Sequence, residues 1–145
     1  MDLTKNHPRS VHEKMLGIVQ LGRTADKAQA NLAGTLGEYD YDCPMDKHVF
    51  EFLGIDAARL TEIVKNAKSS GDIEAALKPY VDKKSPDEIA KFNKEWTERQ
   101  PEGESLQYFL QLREKVAPGR PDVMTWADLL DLDEGRSVPQ RLAAV

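Results

Sequence analysis

Apolar residues recur along most of this chain in steps of three and four, the period of a helix with one buried face. Between Ile18 and Leu36 they fall at Ile18, Leu21, Ala25, Ala28, Leu32 and Leu36. Gly34 weakens the end of that helix, and Gly37 offers a left-handed stop. Cys43-Pro44 opens the next helix, because a proline at the first helical position forfeits only an N–H that would lack a partner there. Val49, Phe50, Phe52 and Leu53 form its apolar face, and Gly54 ends it. Asp56 caps a third helix with Leu60, Ile63, Val64 and Ala67 on one side.

Ser69-Ser70-Gly71 reads as a break before a fourth helix starting at Asp72, which carries Ile73, Ala76, Leu77, Tyr80 and Val81. Pro79 inside that run predicts a kink or an end near Lys78. Ser85-Pro86-Asp87-Glu88 has the form of a capping box. Ile89, Phe92, Asn93 and Trp96 follow it at helical spacing, until Pro101 and Gly103. Ser105 begins another helix with Leu106, Phe109, Leu110 and Val116 inward. Thr125 to Asp128 is a second box, leading into a short helix with Trp126, Leu129 and Leu130. Met1 to His12 contains Pro8 and no apolar period, so residues 1–12 read as an N-terminal arm; residues 134–145 read as a polar C-terminal tail. No segment alternates with period two over a useful length. The expected fold is all-α: one compact domain, 1–145, built as a bundle of about six or seven short helices.

Composition narrows the partners. A chain of 145 residues is long enough to bury a core. Its 25 acidic and 20 basic residues give a net charge of −5, with the basic residues spread rather than gathered in a stripe. A nucleic-acid module needs a concentrated basic face, so none is expected. The single cysteine excludes an intramolecular disulfide and a cysteine-rich zinc site. No apolar run approaches the roughly 20 residues needed to span a bilayer, so the expected location is the cytoplasm and no membrane partner is expected. His7, His12 and His48 are scattered, and Asp40, Asp42 and Asp46 do not follow the calcium-loop pattern, so no metal is expected. Phosphate-loop, dinucleotide and Gly-x-Ser-x-Gly motifs are absent, so no cofactor is expected. Trp96 and Trp126 fall on apolar stripes and read as core.

The candidate chemistry concentrates between Leu21 and Asp46. Arg23 and Lys27 lie one helical turn apart, where like charges destabilise an isolated helix by a few tenths of a kcal/mol. Three arrangements would explain them: a solvated face, internal pairing with Asp26, Glu38, Asp42 or Asp46, or a site holding an anion. Arginine's forked donors and lysine's point charge suit an oxyanion. Cys43, at a helix N-terminus, is placed where a thiolate gains from the dipole, but Asp42 and Asp46 flank it with opposing charge. Tyr39 and Tyr41 either pack or present hydroxyls.

The run LGRTADKAQANLAGTLGEYDYDCPMDKHVFEFLGID, preceded by PRS, resembles an uncharacterised bacterial family of unknown function over about the first 55 residues. Its pattern is Arg-x-x-Asp-Lys, then Leu-x-Gly-x-Leu-Gly-Glu-Tyr, Cys-Pro-x-Asp and Phe-x-Gly-Ile-Asp. SPDEIAKFN, Ser85 to Asn93, is also similar. The resemblance implies no activity or substrate. It marks Arg23, Asp26, Lys27, Glu38, Tyr39, Cys43 and Asp46 as motif positions.

Two functions follow as expectations, with enzymatic activity left open. The first is a small soluble binding domain whose Arg23/Lys27-to-Asp46 block holds a small anionic ligand, with Glu38 or Asp46 as acid or base and Tyr39 as a donor. The alternative is a non-enzymatic protein–protein interaction domain, docking a partner or a second copy, in which that block is a structural polar network.

Overall fold

The computed structural model describes residues 1–141; the last four residues of the expected C-terminal tail lie outside the described residues. Seven helices form among the described residues: α1 (Leu21–Ala33), α2 (Pro44–Leu53), α3 (Ala57–Asn66), α4 (Ser70–Val81), α5 (Pro86–Thr97), α6 (Ser105–Val116) and α7 (Trp126–Asp133). The all-α expectation holds, with one small addition. Strands β1 (Lys14–Met15) and β2 (Ile18–Val19) make an antiparallel hairpin, with Lys14 opposite Val19 and Met15 opposite Ile18. Leu16 and Gly17 close it with φ of 54° and 79°, the left-handed pair that a two-residue hairpin turn requires. Ile18 therefore belongs to a strand, and α1 starts three residues later than the apolar stripe predicts. Two residues per strand are too few to register as an alternation. The hairpin's long-range partner is Asn93 of α5, whose side chain accepts from the Val19 N–H (3.0 Å) and donates to the Gly17 carbonyl (2.9 Å).

The chain falls into two compact units, Met1–Asn93 and the residues from Lys94 onward. In the first, Ile18, Leu21, Ala25, Val49, Phe50 and Leu60 belong to one buried cluster that continues through Ile73, Leu77 and Val81. α1 is its axis. It packs against α2, α3 and the hairpin, and every residue from Leu21 to Ala28 is buried. A single apolar stripe was expected; the first two turns are instead enclosed all round. The last turn emerges from the packing, so Leu32, expected inward, is 47% exposed. The N-terminal arm is not loose. Leu3, Pro8 and Val11 are buried, and Gly37 explains how the arm closes on the chain. Gly37 has φ of 62°, and a Cβ there would lie 2.9 Å from the Leu3 carbonyl oxygen.

Local signals set the helix ends. Asp56 accepts from the Arg59 N–H at 2.8 Å. Ser85 and Glu88 form the expected reciprocal box, at 3.1 and 3.2 Å. Ser69 caps α4 by accepting from the Asp72 N–H, so Ser70 and Gly71 are already helical and the expected break is a cap. Pro79 does not end α4 either. The helix runs on to Val81, because Leu77 and Val81 are buried in the core and their packing outweighs one lost N–H.

In the second unit, Phe109, Val123 and Leu129 form the core, with Trp126 edge-on to Phe109 at 5.0 Å between ring centroids. Trp96 is buried, as expected. Leu106 of α6, expected inward, is 37% exposed, and Tyr108 beside it is 61% exposed. No helix among the described residues is long and apolar enough to cross a membrane.

Candidate functional site

Because the first two turns of α1 are enclosed on all sides, the charged residues there have no water to face. Arg23, Asp26 and Lys27 are each 4% exposed. A charge in that position must be paired and hydrogen-bonded, and each of the three has a partner.

Asp26 pairs with the arm. The Arg9 side chain forks onto it, Nε to Oδ2 and Nη2 to Oδ1, both at 3.1 Å, and the Arg9 backbone N–H adds a third bond at 2.8 Å. Two parallel charge-assisted bonds fix both distance and orientation. Gly22 makes room for this. A Cβ at Gly22 would sit 3.0 Å from Arg9 Cζ, so the guanidinium lies against the bare backbone of α1. Arg23 donates to the Arg9 carbonyl oxygen at 3.2 Å and stands over the Tyr39 ring, 5.7 Å from its centroid. The Tyr39 hydroxyl is hydrogen-bonded to His7 Nδ1 at 2.7 Å.

Asp46 is the second centre, with no exposure at all. It occupies the first turn of α2, where the dipole favours a carboxylate. Its Oδ2 receives the Lys27 ammonium at 2.9 Å, the Asp42 N–H at 3.0 Å and the Cys43 N–H at 3.4 Å. Its Oδ1 receives the Thr24 hydroxyl at 2.7 Å and the Gln20 amide at 3.4 Å. Gln20 holds this position from a left-handed backbone, φ 69°, at the N-cap of α1. Asp42 is likewise left-handed, φ 63°, which turns its N–H toward Asp46. Cys43 Sγ, half-buried, lies 3.4 Å from Lys27 Nζ and 3.5 Å from Asp46 Oδ2.

Six of the seven motif residues are thus drawn into two adjoining clusters: Arg23, Asp26 and Tyr39 around Arg9 and His7, and Lys27, Cys43 and Asp46 around Thr24 and Gln20. Glu38 is exposed and has no ion pair with a described residue. Of the three arrangements, this geometry backs internal pairing better than an anion-holding site. Lys27 donates to Asp46 and Arg23 to a carbonyl, so the charges form an internal network. Asp46, proposed as an acid or base, receives five N–H and O–H donors from within the fold. Asp42, weighed as an internal partner, pairs at the surface with Lys47 at 2.9 Å. Arg9 and Thr24 escaped the sequence reading, and Gln20 entered it only as a residue on the Arg23/Lys27 face. Arg9 lies 17 residues from Asp26 in a stretch that looks like an arm. Thr24 and Gln20 share a helical turn with Lys27 and Arg23, a spacing that would have pointed to them.

A family model described as a domain of unknown function, DUF5069, matches residues 5–136. The chain belongs to this family. The matched region includes the whole network, from His7 and Arg9 to Asp46. Comparison with curated proteins finds no match.

Elsewhere in the first unit, Tyr41 donates to the Ala57 carbonyl at 2.8 Å. Its phenol is pushed up to about 12, chiefly by burial and further by the carboxylates of Asp46, Asp42 and Asp56, against the Thr61 hydroxyl. Two grooves open away from the network, one lined by Met1, Leu32, Val64 and Ser70, the other by Ile55, Arg59 and Tyr80. Among the described residues no three His, Cys, Asp or Glu side chains gather as metal ligands.

The second unit holds its own ionic cluster, whose residues the sequence reading placed in a loop, a capping box and the tail. Arg120 forks onto Asp122 at 2.9 and 3.0 Å, and Arg141 forks onto Asp128 at 3.0 and 3.1 Å. Asp122 is held well below the usual carboxylate range, first by Arg120 and then by the Arg141 backbone N–H.

Proposed function

We propose that this is a non-enzymatic protein-binding domain and that the Arg9-to-Asp46 network is the structural centre that locks its arm and first two helices together. One observation carries the structural half: Asp46 is wholly buried, and both of its oxygens are filled by donors from α1 and from its own helix start. A site for a small anion needs cations with unspent donors facing a cavity. Here the ammonium of Lys27 is spent on a carboxylate. What the surface offers for recognition is apolar and aromatic. Leu106 and Tyr108 of α6 stand exposed, with the Tyr108 ring 6.4 Å from that of Trp126, and aromatic residues are the commonest anchors of protein interfaces.

The test has two arms. A thermal-shift screen against nucleotides, sugar phosphates, carboxylates and sulfate is expected to leave Tm unchanged, since a ligand at a hundred times its Kd would add about 2.7 kcal/mol. A saturable rise that is lost in Lys27→Ala would restore the anion site and end this proposal. Affinity capture and light scattering with the full chain and with Leu106→Ser/Tyr108→Ser are expected to show an association that the double variant loses. A strict monomer that captures nothing would count against the binding role.

A further inference from the structure

Residues 136–141, which follow α7, its cap Glu134 and the turn at Gly135, run without helix or strand in the second unit and are held by several side chains. Val138 is buried, whereas Pro139 and Gln140 face solvent. Arg120 Nη2 donates to the carbonyl oxygens of Val138 (3.2 Å) and Pro139 (3.1 Å). The Arg141 backbone N–H donates to Asp122 Oδ2 at 2.8 Å. The Arg141 guanidinium forks onto Asp128, and here the two partners differ: the Asp128 side chain is 6% exposed and that of Arg141 45%.

These are the contacts by which a protein receives an extended peptide. Main-chain carbonyls and an N–H are recognised without regard to sequence, one aliphatic side chain is buried, and one arginine is read by a buried carboxylate. The receiving groups are preorganised by the fold. Asp128 sits in the first turn of α7, fixed by the Thr125 cap, and Asp122 is oriented by the Arg120 fork. A buried carboxylate is unfavourable unless a cation meets it, and the Arg141 guanidinium meets Asp128 on both oxygens. The receiving residues lie within the region that matches the family, 5–136, and the segment that fills the site lies beyond it.

We propose that Arg120, Asp122 and Asp128 form a receptor for an extended peptide of a protein partner, one presenting an aliphatic residue followed three positions later by arginine. The chain's own Val138-to-Arg141 segment occupies this receptor in cis and holds it closed. The assignment gives the protein-binding role a partner chemistry, and so rests on that role, but it concerns a different surface from α6. A partner must displace the tethered segment, whose effective concentration is in the millimolar range for a short link. The site is therefore a gate as well as a receptor. It opens to a segment that binds better, or when the Arg141 anchor is removed.

The experiment is an NMR titration of the 15N-labelled full chain with a capped synthetic peptide of residues 137–141, Ser-Val-Pro-Gln-Arg. In Arg141→Ala, whose altered side chain is largely at the surface, the peptide is expected to shift the Asp122, Val123 and Asp128 amides saturably. The parent, with its site filled, is expected to bind at least about tenfold more weakly. A peptide ending in glutamine is expected to give no such shifts. Absence of saturable shifts in a folded Arg141→Ala variant, or equal shifts from the glutamine peptide, would overturn the receptor. Concentration-dependent dimerisation of the parent that Arg141→Ala abolishes would make the occupant a second copy's tail and overturn the partner assignment. If Arg141→Ala proves unfolded, Arg141→Lys replaces it, keeping the charge and losing the fork. Parent-like exclusion of the peptide by that variant would also count against the proposal. A flat titration leaves the α6 capture experiment to stand or fall separately.

Discussion

Replacing Lys27 by alanine would strand the Asp46 carboxylate inside the first unit. The Lys27 side chain is 5% exposed, that of Asp46 0%, and 2.9 Å separates their charged atoms. Removing one partner of a buried pair costs about 3–5 kcal/mol, because the surviving charge is neither neutralised nor rehydrated. Two features hold the loss near the lower end. Asp46 keeps its bonds from Thr24 and the Asp42 N–H, and it keeps the favourable field at the start of α2. We expect a loss of about 3 kcal/mol, a large part of the 5–15 kcal/mol by which a domain of ordinary stability persists. At about 2–4 °C per kcal/mol, Tm falls by roughly 6–12 °C. The assay is urea denaturation followed by far-UV circular dichroism. Both tryptophans lie in the second unit, so their fluorescence would report on the wrong part of the chain. A double-mutant cycle with Asp46→Asn isolates the pair. With both charges gone, the double variant should be more stable than the sum of the singles predicts by about 1–3 kcal/mol. A Lys27→Ala variant within about 0.5 kcal/mol of the parent, or an additive cycle, would refute burial of the pair as the source of its stability.

Other outcomes follow from the same structure. Gly37→Ala should destabilise by about 2 kcal/mol, because alanine disfavours a positive φ and its methyl would press on the Leu3 carbonyl; a melting curve unchanged from the parent would show that the arm yields freely. Tyr41 should ionise well above the ordinary tyrosine range in a spectrophotometric alkaline titration. Its folded value lies above the ordinary one near 10, so the stability it contributes is present below pH 10 and is lost as pH rises toward 12. Asp122 behaves in the opposite sense: with its folded value depressed, its contribution is present above about pH 4 and is lost as the solution is acidified below that. The Arg141 amide resonance, followed by NMR from pH 5 downward, should move only once Asp122 protonates; a shift centred near pH 4 would show that the Arg120 clamp does not hold in solution.

The helices were legible in the chain because their signals are local. Asp56, Ser69, Ser85 and Thr125 cap with their own side chains, and the apolar steps of three and four name the buried faces of α3 and α5 without reference to anything distant. The motif block was legible as a concentration of ionisable residues on one helix and its exit. What those residues meet was not. The Arg9 that neutralises Asp26 is 17 positions upstream, and the Asp46 that neutralises Lys27 is 19 positions downstream, in stretches that read as an arm and as the start of the next helix. A charge pair across such a distance leaves no periodic trace; only the enclosure of the first two turns of α1 on every side makes it obligatory. The hairpin depends in the same way on Asn93, and the segment after α7 on Arg120 and Asp128. Sequence determined which segments coil and where each coil stops, since a cap and a stripe are properties of neighbours. Tertiary packing decided which charges lost their water, because burial is a property of everything that surrounds a residue, and with it whether Arg23 and Lys27 would face a ligand or the protein itself.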